Sequence, residues 1–427
     1  MLPRRKRARS PTGLNERICL EERGHCSRRH RVVTNPILST HSCLMDTVDA
    51  VTPPLVITAP RWAQILSSPI CAEMIAVAGA GDVVNVRDAV VAVAAGAMDA
   101  HSVRLVSLVV YRVASLNEEA AALLAVECVR DALVAMSTHA GTSSAVRWVS
   151  LALHAVTSGS RCVKELFATL AVRDALVYLS MQMQAMTPSA VEAVSLALGE
   201  LTCIMDSHEE AFLSKCVRDG LLSMVGNATT PRSIERLAKA FEKCIALSRC
   251  KTFMCTRVRD ALLTMCAAAT TAECVCQVAD TLDTFDVVQY PLVSRMVTTC
   301  EVRDAVVMLA SRATTSKCSG FVAATFAAVL RKDWDTGAPE IFGTSTVHDA
   351  LVGLVSRATE PVDVSVCAGA MALESMAQYA TTSDSVVYSI KGALIALKPT
   401  YRAGSLPRVF AALTATIRLC DSDCCDD

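Results

Sequence analysis

Apolar positions recur at helical spacing along this chain, and the helical pattern itself recurs. Over 145–157, Val146, Val149, Leu153 and Val156 stand three or four residues apart, which places them on one face of a helix. Upstream, 117–126 predicts a short helix opened by Asn117 as cap, with Glu118 and Glu119 in its first turn. Between the two, a break at Cys128-Val129-Arg130 is followed by a second short helix over 132–136, for which Asp131 is the expected cap. A polar turn over 138–144, containing Gly141, leads to Ser144 as the expected cap of the third helix, and Ser158-Gly159-Ser160 ends it. One unit is therefore read as three helices.

The middle of that unit is repeated. Val86-Arg87-Asp88-Ala89-Val90 is followed by near-copies centred on Arg130, Arg173, Arg218, Arg259 and Arg303, by a copy with His348 in place of arginine, and by a worn copy at Ile390-Lys391-Gly392-Ala393-Leu394. These central positions (87, 130, 173, 218, 259, 303, 348, 391) advance by 43, 43, 45, 41, 44, 45 and 43 residues. A period in this range marks an array of stacked helical units, each burying its apolar face against the next. In such a stack like positions form rows. Asp88, Asp131, Asp174, Asp219, Asp260, Asp304 and Asp349 are expected to cap the second helices, each contributing about 1 kcal/mol. The arginines are expected to pair with the aspartate of the neighbouring unit; the functional alternative is a row of guanidinium groups for an acidic partner or phosphates.

Period and helix order together resemble the armadillo-repeat family over about residues 62–420. That family's second helix opens Gly-Ala-Leu-Pro-Ala-Leu-Val, where this chain has Cys128-Val129-Arg130-Asp131-Ala132-Leu133-Val134. Its third helix ends Ala-Leu-x-Asn-Ile, and Ala152-Leu153-His154-Ala155-Val156 and Ala197-Leu198-Gly199-Glu200-Leu201 are similar. The resemblance implies an all-α chain: a right-handed superhelical α-solenoid of about eight three-helix repeats, with the third helices lining a concave groove.

Two departures bear on this. The family's glycine at the bend before the second helix is replaced by Asn85, Cys128, Ala171, Cys216, Arg257, Glu301 and Thr346. Members that carry nuclear-import signals use an Asn ladder with Trp four residues earlier, and no Asn or Trp falls in those places here; Trp148 is expected in the core. The groove is instead expected to be charged in its first half, through Arg104, Arg112, Arg147, Glu192, Glu200, Lys239 and Lys243. Its second half, with Cys276, Thr284, Gly320, Ala328, Cys367, Met371 and Ser375, is expected to be nearly neutral.

Composition sharpens the picture in three ways. Apolar residues reach 52% but aromatics only 4%, so Ala, Val, Leu, Met and Cys must fill the interior. The twenty cysteines follow no disulfide or metal-site spacing and read as free thiols in a reducing compartment. No apolar run approaches the roughly 18–20 residues of a membrane span, and no apolar leader segment follows the charged start.

Charge is uneven. Residues 1–32 hold ten Lys/Arg against Glu16, Glu21 and Glu22, leaving the rest of the chain acidic. The expected organisation is a disordered basic tail over 1–45, a proline-marked linker over 46–61, the repeat array over 62–420 and an acidic, Cys-rich tail over 421–427. Arg4, Arg5, Lys6, Arg7 and Arg9 form a candidate nuclear-localisation signal, which a start at Met45 would remove.

Catalytic patterns are missing. Gly79-Ala80-Gly81 lacks a dinucleotide loop's third glycine, Cys274-Val275-Cys276 lacks a second cysteine pair, and His139 and His154 lack a nucleophile neighbour. Basic residues without interleaved aromatics point away from single-stranded nucleic acid. The expectation is a monomeric, non-catalytic, cytoplasmic scaffold that holds an extended peptide segment of another protein, with no cofactor, metal, nucleic acid or membrane as ligand. Two alternatives use the basic arm: a nuclear transport adaptor, and a nucleic-acid or chromatin-associated factor.

Overall fold

The computed structural model describes residues 81–202, 212–247, 252–287, 295–332 and 338–360, with single positions from 74 to 79 and from 362 to 374. The chain divides into Met1–Leu55 and Val56–Asp427, and every described residue belongs to the second unit. The localisation-signal candidates Arg4, Arg5, Lys6, Arg7 and Arg9, the acidic tail and Ser375 lie outside the described residues.

Chain order begins with α1 (Val83–Ala94) and α2 (Ala100–Ala114). Two triplets follow: α3 (Glu118–Leu124), α4 (Glu127–Ser137) and α5 (Ser143–Thr157), then α6 (Arg161–Phe167), α7 (Leu170–Ser180) and α8 (Pro188–Thr202). Next come α9 (Lys215–Met224) and α10 (Pro231–Leu247), α11 (Thr256–Ala268) and α12 (Ala272–Val287), and α13 (Cys300–Arg312) and α14 (Ser316–Lys332). α15 (Ala338–Phe342) and α16 (Ser345–Arg357) follow. Among the described residues there is no strand, and no helix is long and apolar enough to cross a membrane.

The long helices α2, α5, α8, α10, α12 and α14 pack each on the next, forming one row. The helices that carry the repeated motif, α1, α4, α7, α9, α11, α13 and α16, pack in chain order as a second row with lighter contact. Helices packed on their chain neighbours in this way are compatible with an α-solenoid. Burial explains the motif's apolar letters: Val129 and Leu133, Val172 and Leu176, Val258 and Leu262, and Val347 and Leu351 stand four apart and are fully buried.

The bends into α4, α7, α9, α11 and α13 are made without glycine, whereas Gly343 sits in the turn before α16 and Gly81, with φ 100°, precedes the cap of α1. Ala125 (φ −80°, ψ 63°) and Ala168 (φ −77°, ψ 51°) adopt the inverse γ-turn conformation, open to any residue. The Val126 N–H donates to the Leu124 carbonyl at 2.9 Å and the Thr169 N–H to that of Phe167 at 2.8 Å; Cys255, Thr299 and Thr344 repeat the bond. Just before each turn a buried side chain anchors the chain: Leu124, Phe167, Phe253, Val297 or Phe342. The residues standing where the family has glycine, Asn85, Cys128, Ala171, Cys216, Arg257, Glu301 and Thr346, all lie inside helices.

For the same reason the aspartates are not caps. Asp131, Asp174, Asp219, Asp260, Asp304 and Asp349 are each the fifth residue of their helix and Asp88 the sixth of α1. By that depth the backbone N–H groups are already bonded within the helix, and the orphan donors lie in the first turn. The side-chain acceptors there are Asp82, Thr169, Thr299 and Thr344, while Val126, Ser214 and Cys255 offer no capping bond. On the long helices Asp99 and Thr142 cap, Thr142 standing two residues before the expected Ser144. Asn117 caps α3 as expected.

Nor does each arginine reach the aspartate of the next unit. Arg130 Nε donates to Oδ1 of its own neighbour Asp131 at 2.8 Å, and Arg173, Arg218, Arg259 and Arg303 repeat the pairing. What crosses to the next unit is Nη1. It donates to the carbonyl of Leu166 from Arg130, Thr252 from Arg218, Met296 from Arg259 and Ile341 from Arg303, at 3.2–3.4 Å. Leu166 and Ile341 are the penultimate residues of α6 and α15, where helix carbonyls lack internal partners. The aspartate orients the guanidinium, and the guanidinium caps the neighbour's short helix. Arg257 to Asp219, at 3.0 Å, is an ion pair between units.

Candidate functional site

A cleft of about 500 Å³ opens across α2, α5, α8 and α10. Five of the predicted face residues, Arg147, Glu192, Glu200, Lys239 and Lys243, line it together. They converge because residues three, four, seven or eight apart share a helix face. Arg104 and Arg112, on α2, lie outside its lining. Thr284 is half-buried and its hydroxyl donates to the Asp280 carbonyl of its own helix at 2.9 Å. Met371 is half-buried against the core.

The cleft also gathers residues the sequence reading passed over: Tyr111, His154, Ser195, Arg232 and Arg236. Arg232 and Arg236 stand eleven and seven residues before Lys243, on the same face of α10, so helical periodicity was the available signal. His154, isolated in sequence, meets Glu200, Lys243 and Arg236 only through packing. Trp148 is half-buried rather than in the core; its ring meets Tyr111 at 5.4 Å, and Arg147 lies over it at 5.1 Å.

The carboxylates of the cleft are engaged. Glu192 accepts from Arg232 at 2.7 Å. Glu200 pairs with Lys164, and with Lys243 at 3.9 Å, while Lys243 Nζ also donates to the Gly199 carbonyl at 3.0 Å. Burial pushes the Glu200 carboxyl up, yet the Lys164 hydrogen bond and the Lys164, Lys243 and His154 charges carry it below the usual range. Burial likewise holds the His154 imidazole below its ordinary value, and the surrounding cations add to that against Glu200. Among the described residues, no carboxylate stands within ion-pair distance of Arg147 or Lys239. Three buried polar atoms in the cleft, Ser195 Oγ, His154 Nδ1 and Arg236 Nε, have no hydrogen-bond partner.

A second cavity, of about 410 Å³, follows along the same row of helices, lined from α10, α12 and α14. Its charged lining is Glu235, Glu273, Asp280 and Lys317. This stretch is therefore acidic, which corrects the nearly neutral second half: the rows read from sequence omitted Glu235 and Glu273. Burial, with repulsion from Glu242 and Asp283, raises the Asp280 carboxyl to about 6 against the pull of Lys239 and Lys317. Beside it, the Cys318 thiol hydrogen-bonds the Cys276 sulfur, which lowers Cys276 and raises Cys318. Among the described residues no three His, Cys, Asp or Glu side chains are grouped to hold a metal ion.

No family model matches the chain, and no curated protein is significantly similar to it.

Proposed function

We propose that this chain is a non-catalytic interaction scaffold, a right-handed superhelical solenoid of about eight armadillo-like repeats, whose third-helix face holds an extended segment of another protein. The residues put forward for that face are Arg147, Glu192, Glu200, Lys239 and Lys243, joined by Arg232, Arg236, His154 and Tyr111. One observation carries the reading. The cleft spans successive units and presents Arg147 and Lys239 unmatched by carboxylates among the described residues, beside buried polar atoms that lack partners. Buried polar groups are rarely left unsatisfied, and a peptide supplies both carbonyl and carboxylate acceptors. The scaffold is read as monomeric and cytoplasmic.

Site-specific photo-crosslinking tests this. A photoreactive residue at Leu151 or Leu196, both lining the cleft, is expected to capture a partner segment in cells. The same residue at Tyr178, exposed on the motif helix α7, is expected to capture none. Equal labelling from both positions, or none from the cleft, removes the reading.

The basic arm favours the second reading, a transport adaptor or nucleic-acid factor, because residues 1–32 concentrate ten Lys/Arg. Deleting residues 1–44 separates the two. A scaffold keeps its crosslinked partner and its location; an adaptor or nuclear factor loses one or both.

A further inference from the structure

The two cavities adjoin on one row of helices, share α10, and carry opposite charge. In the first, Arg232 and Lys164 engage the two glutamates and Arg236 lies 3.9 Å from Glu235, which leaves Arg147 and Lys239 as cations for something else, with Arg236 adding its charge beside them. Ser195 is 1% exposed, lines the same cleft, and has an unpartnered hydroxyl. These groups together suit a ligand with several acceptor oxygens and negative charge: a carboxylate. In the second cavity three carboxylates face Lys317, whose ammonium leans over the Phe321 ring at 5.9 Å. Glu242 accepts from Gln277 at 2.6 Å and adds its charge nearby. A basic side chain would relieve that repulsion.

Their separation can be bounded. The first cavity is centred on α8, between α5 and α10, and the second on α12, between α10 and α14. Two helix spacings of about 8–10 Å give about 16–20 Å, which an extended chain crosses in about five or six residues.

We propose that this face is a polar reader: it takes an acidic side chain in the α5–α8–α10 cleft and a basic one, about five or six residues away, in the α10–α12–α14 cavity. The inference rests on the scaffold reading and adds to it a ligand chemistry, a spacing and a single direction of binding. A segment with the two charges exchanged meets like charge at both ends, which costs affinity twice over.

The test is selection of a displayed random-peptide library on the purified full chain, with a variant carrying Arg236→Glu and Lys239→Glu as counter-selection. The expected result is enrichment of peptides with an acid and a base at that spacing, in one order and not the reverse. For one selected peptide, measured by fluorescence anisotropy, the double variant is expected to weaken binding about tenfold or more. Replacing the peptide's acid by lysine is expected to recover part of that loss on the variant while weakening binding to the parent. Arg236→Gln with Lys239→Gln, a milder change, is expected to give an intermediate loss, and circular dichroism reports whether either variant folds. Peptides that bind this face with no paired charges, or equally well in both orders, overturn the inference and leave the scaffold reading standing. If no peptide is enriched in dependence on these residues, both fall.

Discussion

The two rows of helices solve one problem, joining each unit to the next, by different physical means. The long helices join by side-chain interpenetration: Phe241, Cys244 and Ile245 on α10 and Val278, Leu282 and Phe285 on α12 are almost wholly excluded from water. Polar ties there are secondary, as when the Thr281 hydroxyl donates to the Ala238 carbonyl and that of Thr325 to Ala279, both at 3.1 Å. The motif helices touch less and lean on directed hydrogen bonds at both ends. Their arginines reach forward to the next unit, and at the opposite end Arg312 Nη1 reaches back to the Ala269 carbonyl at 2.7 Å and Arg357 Nη2 to that of Ala310 at 2.7 Å. One row therefore supplies most of the hydrophobic stabilisation, and the other sets how neighbouring units are oriented.

The largest test of that contrast is Phe241→Ala, expected to cost about 3–5 kcal/mol because it opens a cavity where α10 meets its neighbours. The shift of a urea midpoint measures it, and a loss below that of the arginine variants would reverse the comparison. Next is Arg259→Met, expected to cost about 1–2 kcal/mol by leaving the Met296 carbonyl without its donor. Arg259→Lys is expected to recover little of it, since one ammonium cannot hold Asp260 and a carbonyl across the unit boundary as the planar fork does.

Within α13 two neighbouring substitutions separate cap from pair. Thr299→Ala removes the oxygen that accepts from the Val302 N–H and is expected to cost about 1 kcal/mol. Asp304→Ala removes an exposed partner and is expected to cost under about 0.5 kcal/mol. The reverse order in a thermal melt would restore the aspartates as caps.

The smallest effect depends on pH. The folded Asp280 carboxyl, raised to about 6, binds more protons than its unfolded counterpart. Its cost to stability is therefore absent below the unfolded value of 3.8, grows as pH rises, and is complete above about 6. Asp280→Asn is expected to stabilise the fold at pH 7.5 by under about 1 kcal/mol, reduced by solvent screening at a half-exposed site. At pH 3.5 it is expected to make no difference. A gain independent of pH would assign the effect to something other than charge.

Local physics was legible in the sequence wherever one helix sufficed to express it. Asn117 opens α3, and the third helix read over 145–157 is observed as Ser143–Thr157. The aspartates were misplaced because a regularly repeated Asp resembles a cap, whereas the true cap positions vary between Thr169 and Thr299, which can accept, and Val126 and Cys255, which offer no capping bond. What the arginine does was out of reach, since its carbonyl acceptor lies 34–38 residues ahead. The site shows the same division. Arg147, Lys239 and Lys243 followed from rows on one face, but the acidity of the second cavity comes from Glu235 on α10 meeting Glu273 and Asp280 on α12, a convergence made by packing between helices.

That forward reach has a consequence during synthesis. At about 5–20 residues per second, 34–38 residues take the ribosome roughly 2–8 s. For that interval the newest motif helix has a guanidinium poised for an acceptor not yet translated, while bonds such as those of Arg312 and Arg357 already clasp the unit made before. The growing chain would thus be moored behind before it is latched ahead, so that each nascent segment is guided by its predecessor and completed by its successor.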